Sequence, residues 1–374
     1  ITTQLMIVDA PINKIERVEL NDVKISYIGR THQKLKFGDH QSNKFTVIVR
    51  GCAKIDGSPM ADDEAMKNIN SIISKMEEKL GKGIFPNWIG PQRFGGVRAV
   101  TAEVGKNIIE NDFRKAVDTY IGMVSQFEND EVSKFRKLWN DSKDIEKCLE
   151  IIPNRLNYEK RILLDLKKTN NHISAFKTLP NNLQLMFIHA VQSKIFNKYL
   201  ALRIKSNLSL NKPLKGDIVG HLTEKRNVDL KTLTIVEKDS KNRIEHNCKL
   251  GRLAVTGPLP GFSEILAEGE SGKLEREIIS EMNYIKDSWQ IEKIPRLSSS
   301  GSRRALTSTY SNLTIEVCSK EVDNEESKIW DEGPQKGDRW NPEGASIKFK
   351  FDLPPGSYAT VFLREIMRSP INHY

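Results

Sequence analysis

The chain has 374 residues, with 58 Lys+Arg against 49 Asp+Glu, a formal charge of +9, and 38% hydrophobic and 29% charged residues. That composition belongs to a folded, soluble chain able to bury a large core, and no apolar run approaches the roughly 18 residues a spanning helix needs, so membrane and disordered classes are excluded. About 150 residues per domain suggests two domains, or one carrying a large insertion, and the positive balance fits either a polyanionic partner such as nucleic acid or a lysine-rich solvated surface.

In chain order, the opening Ile1-Thr2-Thr3-Gln4-Leu5-Met6 reads as strand. Alternation in Val23-Lys24-Ile25-Ser26-Tyr27 and Phe45-Thr46-Val47-Ile48-Val49 predicts two antiparallel-type strands, separated by the glycine-bearing Phe37-Gly38-Asp39-His40. Met66, Ile69, Ile72, Ile73, Met76 and Leu80 recur at helical spacing behind Asp62, Asp63 and Glu64, and Gly81 stops that helix. Residues 99 to 166 are helical in pattern, with Pro153 the clearest interruption, and a further amphipathic helix is predicted over 181–203. Short strands follow around 217–219 and 233–236, and Thr256-Gly257-Pro258-Leu259-Pro260-Gly261 reads as a rigid turn. A helix over 273–287 precedes Leu297-Ser298-Ser299-Ser300-Gly301-Ser302-Arg303-Arg304, whose Ser/Gly content marks a linker or a ligand-facing loop. Strands return at 313–317, 346–351 and 358–362. Strands at both ends with helices between them predict an α+β core interrupted by an insertion.

Cys52, Cys148, Cys248 and Cys318 form no CxxC pair, which argues against structural zinc and a dense disulfide framework and points to a reducing compartment, the cytoplasm. His189, inside an apolar helical stretch, reads as a hydrogen-bonded core residue before it reads as a ligand. No metal is expected.

The most informative stretch is Phe85-Pro86-Asn87-Trp88-Ile89-Gly90-Pro91-Gln92-Arg93-Phe94-Gly95. Gly and Pro fix a backbone shape, Asn and Gln supply paired donors and acceptors, and Arg among aromatics can hold a phosphate or stack on a base. On its own the segment reads as a binding loop, with a merely rigid turn as the alternative.

This loop resembles the signature of the TruD family of pseudouridine synthases, Asn-x-Phe-Gly-x-Gln-Arg-Phe-Gly, at every fixed position but Ile89, where the family usually has Phe. The resemblance extends to Ile1-Thr2-Thr3-Gln4, to the helix from Leu179-Pro180 through Phe187-Ile188-His189-Ala190-Val191-Gln192-Ser193-Lys194-Ile195-Phe196-Asn197, and to Leu353-Pro354-Pro355-Gly356-Ser357-Tyr358-Ala359-Thr360 with Arg364-Glu365. Gly216-Asp217, Gly257-Pro258-Leu259-Pro260-Gly261 and Ser300-Gly301-Ser302-Arg303-Arg304 also look like family positions. The fold implied is α+β: a pseudouridine synthase catalytic domain with a mixed or antiparallel sheet (1–167 and 300–374), interrupted by an inserted α/β domain, the TRUD domain (168–299).

The function implied is isomerisation of uridine to pseudouridine in tRNA, at position 13, by base flipping and an aspartate-dependent mechanism with no cofactor. The family aspartate would lie just upstream of Ile1, so the nucleophile is expected in a preceding segment. Tyr358 looks like the aromatic that stacks on the flipped base and Asn87 like the amide that orients the base or the acid. Ile89, Gln92, Arg93, Phe94, Arg303 and Arg304 are carried over as substrate-binding residues, although Gln92 and Arg93 could equally brace their own loop, and Lys34 and Lys36 are further RNA-facing candidates. The alternative is a non-catalytic RNA-binding or RNA-folding protein using the same basic cleft.

Overall fold

The computed structural model describes residues 3–32, 34–35, 39–96, 98–263, 265–282, 286–318 and 340–368. A single turn, α1 (Ile12–Ile15), is the first regular element and buries nothing. Strand β1 (Asn43–Cys52) is followed by α2 (Asp62–Leu80), whose first turn carries Asp62, Asp63 and Glu64 and whose stop is Gly81 at φ 95°; acids favour a helix N-terminus, and glycine alone adopts that φ without strain. The three-residue strand β2 (Ile84–Pro86) leads into a 3-10 turn, Pro91–Arg93.

A helical array comes next: α3 (Thr101–Ile109), α4 (Phe113–Gly122), α5 (Asp130–Ser142), α6 (Ile145–Ile151), α7 (Asn157–Thr169), α8 (His172–Lys177) and the 25-residue α9 (Asn181–Lys205). The interruptions beyond Pro153 are set by capping side chains: Asp112, Asn129, Asp144 and Asn171 each accept a first-turn N–H, which ends one helix run and starts another. Helix α9 is buried on several faces, through Phe187, Ile188, Val191, Ile195, Phe196, Tyr199 and Leu200, because it is the central rod of the array.

The chain then makes β3 (Ile218–His221), β4 (Thr234–Ile235), α10 (Lys241–Lys249), β5 (Leu253–Leu259), α11 (Gly269–Glu281), β6 (Ser302–Ala305), β7 (Thr307–Thr309), β8 (Ser311–Val317), β9 (Ala345–Leu353) and α12 (Ala359–Met367). Three antiparallel sheets form among the described residues: β1-β9-β8, the ribbon β2-β7, and β4-β3-β5-β6.

Two hydrophobic cores result. The smaller packs α2 and α12 on the β1-β9-β8 sheet through Ile69, Met76, Phe349, Phe351 and Phe362. The larger gathers α3 to α9, α11 and the four-stranded sheet around Phe176, Phe187, Phe196, Tyr199 and Trp289. Helices α3 to α7, placed by sequence before the insertion, thus share one core with α9 and the second sheet. The chain crosses between the cores on two neighbouring paths, β2 outward and β7 back, in register Ile84 to Thr309 and Pro86 to Thr307. Leu80, Trp88 and Tyr358 pack against both cores, so they stand at the seam.

Several sequence expectations change. Residues 3–9 and 23–27 are not strands: beyond one isolated Leu20–Val23 bridge they are extended and exposed. Alternation says which face a strand would bury, but a strand needs a partner edge, and among the described residues β1 pairs only with β9. Residues 256–259 are not a turn but part of β5, in register with Arg303 and Arg304. Pairing with β3 stops at Val255, leaving Pro258 beside an open edge where a residue without an N–H is tolerated. The Ser/Gly stretch ends in strand β6 rather than in a loop. Finally, 358–362 begins a helix: Val361, Phe362, Leu363 and Ile366 all bury one face of α12, and the Pro354-Pro355-Gly356 break detaches it from β9.

Candidate functional site

The seam is where the resemblance residues converge. Directly after β2, the Asn87 N–H donates to Leu306 O at 2.9 Å and its Nδ2 donates to Ala305 O at 2.9 Å. The Asn87 backbone N–H and one Nδ2 hydrogen therefore hold the returning strand, and its Oδ1 accepts from Arg304 Nη2 at 2.6 Å. The same guanidinium nitrogen donates to Gly356 O at 3.0 Å, and the guanidinium carbon lies 5.7 Å from the Phe196 ring centroid. Arg304 thus ties the loop after β2 to the Pro-Pro-Gly turn that presents Tyr358.

Tyr358 is the residue preceding α12, at φ −109° and ψ 123°, and its ring lies against Gly90. A Cβ on Gly90 would fall 2.9 Å from Tyr358 Cδ1 and 2.7 Å from Gln92 Oε1; any side chain there would push the ring off the loop. Two further bonds fasten the loop to α12: Gln92 Nε2 to Thr360 Oγ1 at 3.1 Å and Trp88 Nε1 to Glu365 Oε1 at 2.9 Å. Burial raises the Glu365 pKa, against the opposing pull of Arg368, the Trp88 bond and Arg364.

On its other side the loop is gripped by α9. Asn197 Oδ1 accepts from the Ile89 N–H and Asn197 Nδ2 donates to Ile89 O, both at 2.9 Å. The chain exits through Gly95 at φ 101°, where a Cβ would fall 2.2 Å from Arg98 O. Arg98 itself donates to Tyr120 O at 2.6 Å and lies within 3.6 Å of Glu159 and 3.9 Å of Glu128, whose main partner is the buried Arg136.

Electrostatically, the seam is short of negative charge. Arg304 is half-buried and has no carboxylate within ion-pair distance among the described residues; burial first, then the nearby Arg93, push its pKa down to about 10, while Tyr358 opposes the shift. It remains protonated at neutral pH. Arg93 is half-buried, with no side-chain hydrogen bond or ion pair among the described residues.

Two residues expected to touch substrate do not fit that role. Ile89 is 7% exposed, its side chain in the larger core and both backbone polar groups on Asn197, so it has no surface to offer a base. An aliphatic residue in place of the family's Phe therefore acts on packing. Arg303 is 5% exposed and bound to Glu275 at 2.5 Å, Thr256 Oγ1 at 2.8 Å and Ile265 O at 2.8 Å. Successive strand residues face opposite sides, so when Arg304 points into the seam Arg303 must point into the interior, where its charge is neutralised. Phe94 is half-buried, and its carbonyl accepts from the Thr101 N–H, seating the loop on α3. His189 is exposed on α9 rather than in the core. Lys34 is exposed; Lys36 lies outside the described residues.

Asn197, Phe196, Thr360 and Glu365 belong to the site without having been singled out. Their partners are 108 to 277 residues away in sequence, and the only signal was their inclusion in the segments that carry the resemblance.

The description "tRNA pseudouridine synthase D (TruD)" belongs to the family model that matches residues 1–366. The chain belongs to the TruD family. A Methanosarcina mazei protein described as a probable tRNA pseudouridine synthase D is 33% identical over 368 residues, covering 98% of this chain and 78% of the relative. A Thermococcus sibiricus protein of the same description is 33% identical over 356 residues, covering 95% and 75%. Among solved structures, a crystal structure of the M. mazei TruD superposes with a TM-score of 0.81 at 31% identity, covering 98% of this chain and 78% of that one. As in that family, helices and antiparallel sheets combine in an α+β arrangement, and no helix among the described residues is long and apolar enough to cross a membrane.

Proposed function

We propose that this chain isomerises uridine to pseudouridine in transfer RNA, at position 13 as the family resemblance implies. The observation that carries the reading is the convergence at the seam: the Asn87 loop, Arg304 and Tyr358 come from separate parts of the chain and are held in one cluster of hydrogen bonds and close contacts. Reaching a uridine inside folded RNA requires unstacking it, at about a few kcal/mol. The Tyr358 ring offers a π face for the extruded base, a type of contact worth about 1 to 3 kcal/mol, and that is enough to offset much of the unstacking.

Asn87 uses its backbone N–H and one Nδ2 hydrogen on the returning strand and its Oδ1 on Arg304, so in this reading it orients the site through Arg304 and keeps one Nδ2 hydrogen for a further acceptor. Arg304, charged and lacking a carboxylate, suits an incoming anion, either the reacting aspartate of the family or an RNA phosphate. Arg93 and Gln92 line the same rim. The reaction exchanges a carbon–nitrogen for a carbon–carbon glycosidic bond within one nucleotide and changes no oxidation state overall. A cytoplasmic setting fits four cysteines that are all reduced.

The test incubates the natural full-length protein with unmodified tRNA transcripts and maps pseudouridine by carbodiimide-dependent primer-extension stops. A single new stop at position 13 is expected. Salt-sensitive binding of the transcript without any stop would replace the isomerase reading with RNA binding alone.

A further inference from the structure

Helix α9 presents one more group to the seam. His189, Ser193 and Asn197 recur every four residues and share a face, with Ser193 Oγ donating back to His189 O. At 1.5 Å per residue, His189 stands about 12 Å along the axis from Asn197. The signature loop follows the same path: Ile89 is clamped at Asn197, and the 3-10 turn that ends in Arg93 packs on α9. Arg93 therefore sits on a turn that packs against this helix.

The surroundings of His189 contain little to satisfy it. Its ring is exposed and makes no hydrogen bond among the described residues. The charged groups on neighbouring elements are engaged elsewhere: Glu103 of α3 with Lys194, Glu281 of α11 with Lys198, and Arg296 with Gln184. Arg93 is the charged side chain whose field reaches it, and partial burial together with that field lowers the His189 pKa. The Arg93 charge thus acts on both Arg304 and His189, and no carboxylate is bonded to any of the three among the described residues.

We propose that Arg93 and His189 form a phosphodiester-binding subsite for the RNA backbone beside the flipped nucleotide, and that His189 takes up a proton when the phosphate arrives. This rests on the isomerase reading above and extends it to the strand flanking the target. In the free protein the Arg93 charge disfavours a second cation at His189; a phosphate placed between them reverses the sign of that field and favours the imidazolium. RNA affinity then rises as pH falls toward the ordinary histidine range.

The experiment measures binding of an unmodified tRNA transcript by calorimetry near pH 7 in two buffers of different ionisation enthalpy, and by titration at several salt concentrations. Wild-type protein is expected to bind with net proton uptake, and H189Q to lose that uptake. R93Q is expected to reduce the slope of log affinity against log salt by about 1, the effect of one lost phosphate contact, whereas R93K keeps it. His189 is exposed and Arg93 half-buried, and thermal unfolding checks that the variants are folded. Unchanged proton uptake in H189Q, or an unchanged salt slope in R93Q, overturns the subsite. If wild type makes pseudouridine and the variants match it in both measurements, only the subsite falls; if wild type neither binds the transcript nor modifies it, the isomerase reading falls first.

Discussion

Arg303 and Arg304 are adjacent on one strand and live in opposite electrostatic worlds. Arg303 faces the interior of the second sheet, paired with Glu275 and bonded to Thr256 and Ile265. Two more buried arginines follow the same rule: Arg203 is bonded through two nitrogens to Asp217 at 2.7 Å, and Arg136 is held by Glu128 and Glu159. Arg304, at the seam, is bonded to neutral acceptors and has Arg93 for a neighbour. Inside the cores, charge is cancelled locally because an unpaired ion there would be expelled or would unfold the chain. Beside the Tyr358 ring and the signature loop, the charge of Arg304 is left without a carboxylate among the described residues. The comparison separates arginines cancelled by carboxylates inside the cores from one bonded only to neutral acceptors at the seam.

The largest expected effect is on the structural side. E275A leaves Arg303 buried without its partner and should lower stability by about 3 to 5 kcal/mol, read by urea denaturation; a loss below about 1 kcal/mol would mean that Arg303 finds water and is not structural. On the seam side, Tyr358→Leu keeps an apolar side chain between the two cores but removes the π face. It should reduce pseudouridine formation by about 5- to 100-fold, the range of one base-stacking contact, while Tyr358→Phe stays near wild type; equal rates for Leu and Phe would show that the ring only packs. R304Q retains hydrogen bonding to Asn87 but not the charge. It should weaken transcript binding by about tenfold at low salt and progressively less as salt is raised, since screening removes what the charge contributed; a salt-independent loss would point instead to a distorted loop.

The smallest effect concerns the bolt between loop and α12. The folded pKa of Glu365 is raised by burial, so the native state holds a proton that the unfolded chain has already released. Its contribution therefore favours folding below the unfolded pKa and is lost as pH rises through the window up to the raised folded value. Stability of wild type relative to E365Q should fall with increasing pH across that window and then level off; a difference that rises with pH would show a carboxylate stabilised by Arg364 and Arg368 after all.

Much of the fold was legible before any coordinates. The acid start and glycine stop of α2, the apolar spacing of α9 and the alternation of β1 and β9 are local signals, and those elements form where the pattern places them. Two of the failures share one cause. Residues 23–27 alternate as a strand should, yet extended backbone is stable as a strand only against a partner edge. The Gly257-Pro258 pair looks like a turn, yet β6 and an open edge at Pro258 make it strand. For the site, the loop from Asn87 to Phe94 and Tyr358 carried chemical and family information in their own residues, whereas Asn197, Thr360 and Glu365 acquire their roles only through partners more than 100 residues distant.

By itself, the sequence determined the long helices α2 and α9, which loop holds the reactive residue types, and which family the chain resembles, because capping, periodicity and motif chemistry are written within a few neighbouring residues. Tertiary structure alone decided that Arg303 is cancelled and Arg304 is not, that Ile89 is buried in the larger core, and that the field of Arg93 reaches His189. Burial and charge compensation are properties of what surrounds a side chain, and neighbours brought together across the seam cannot be read from one position at a time.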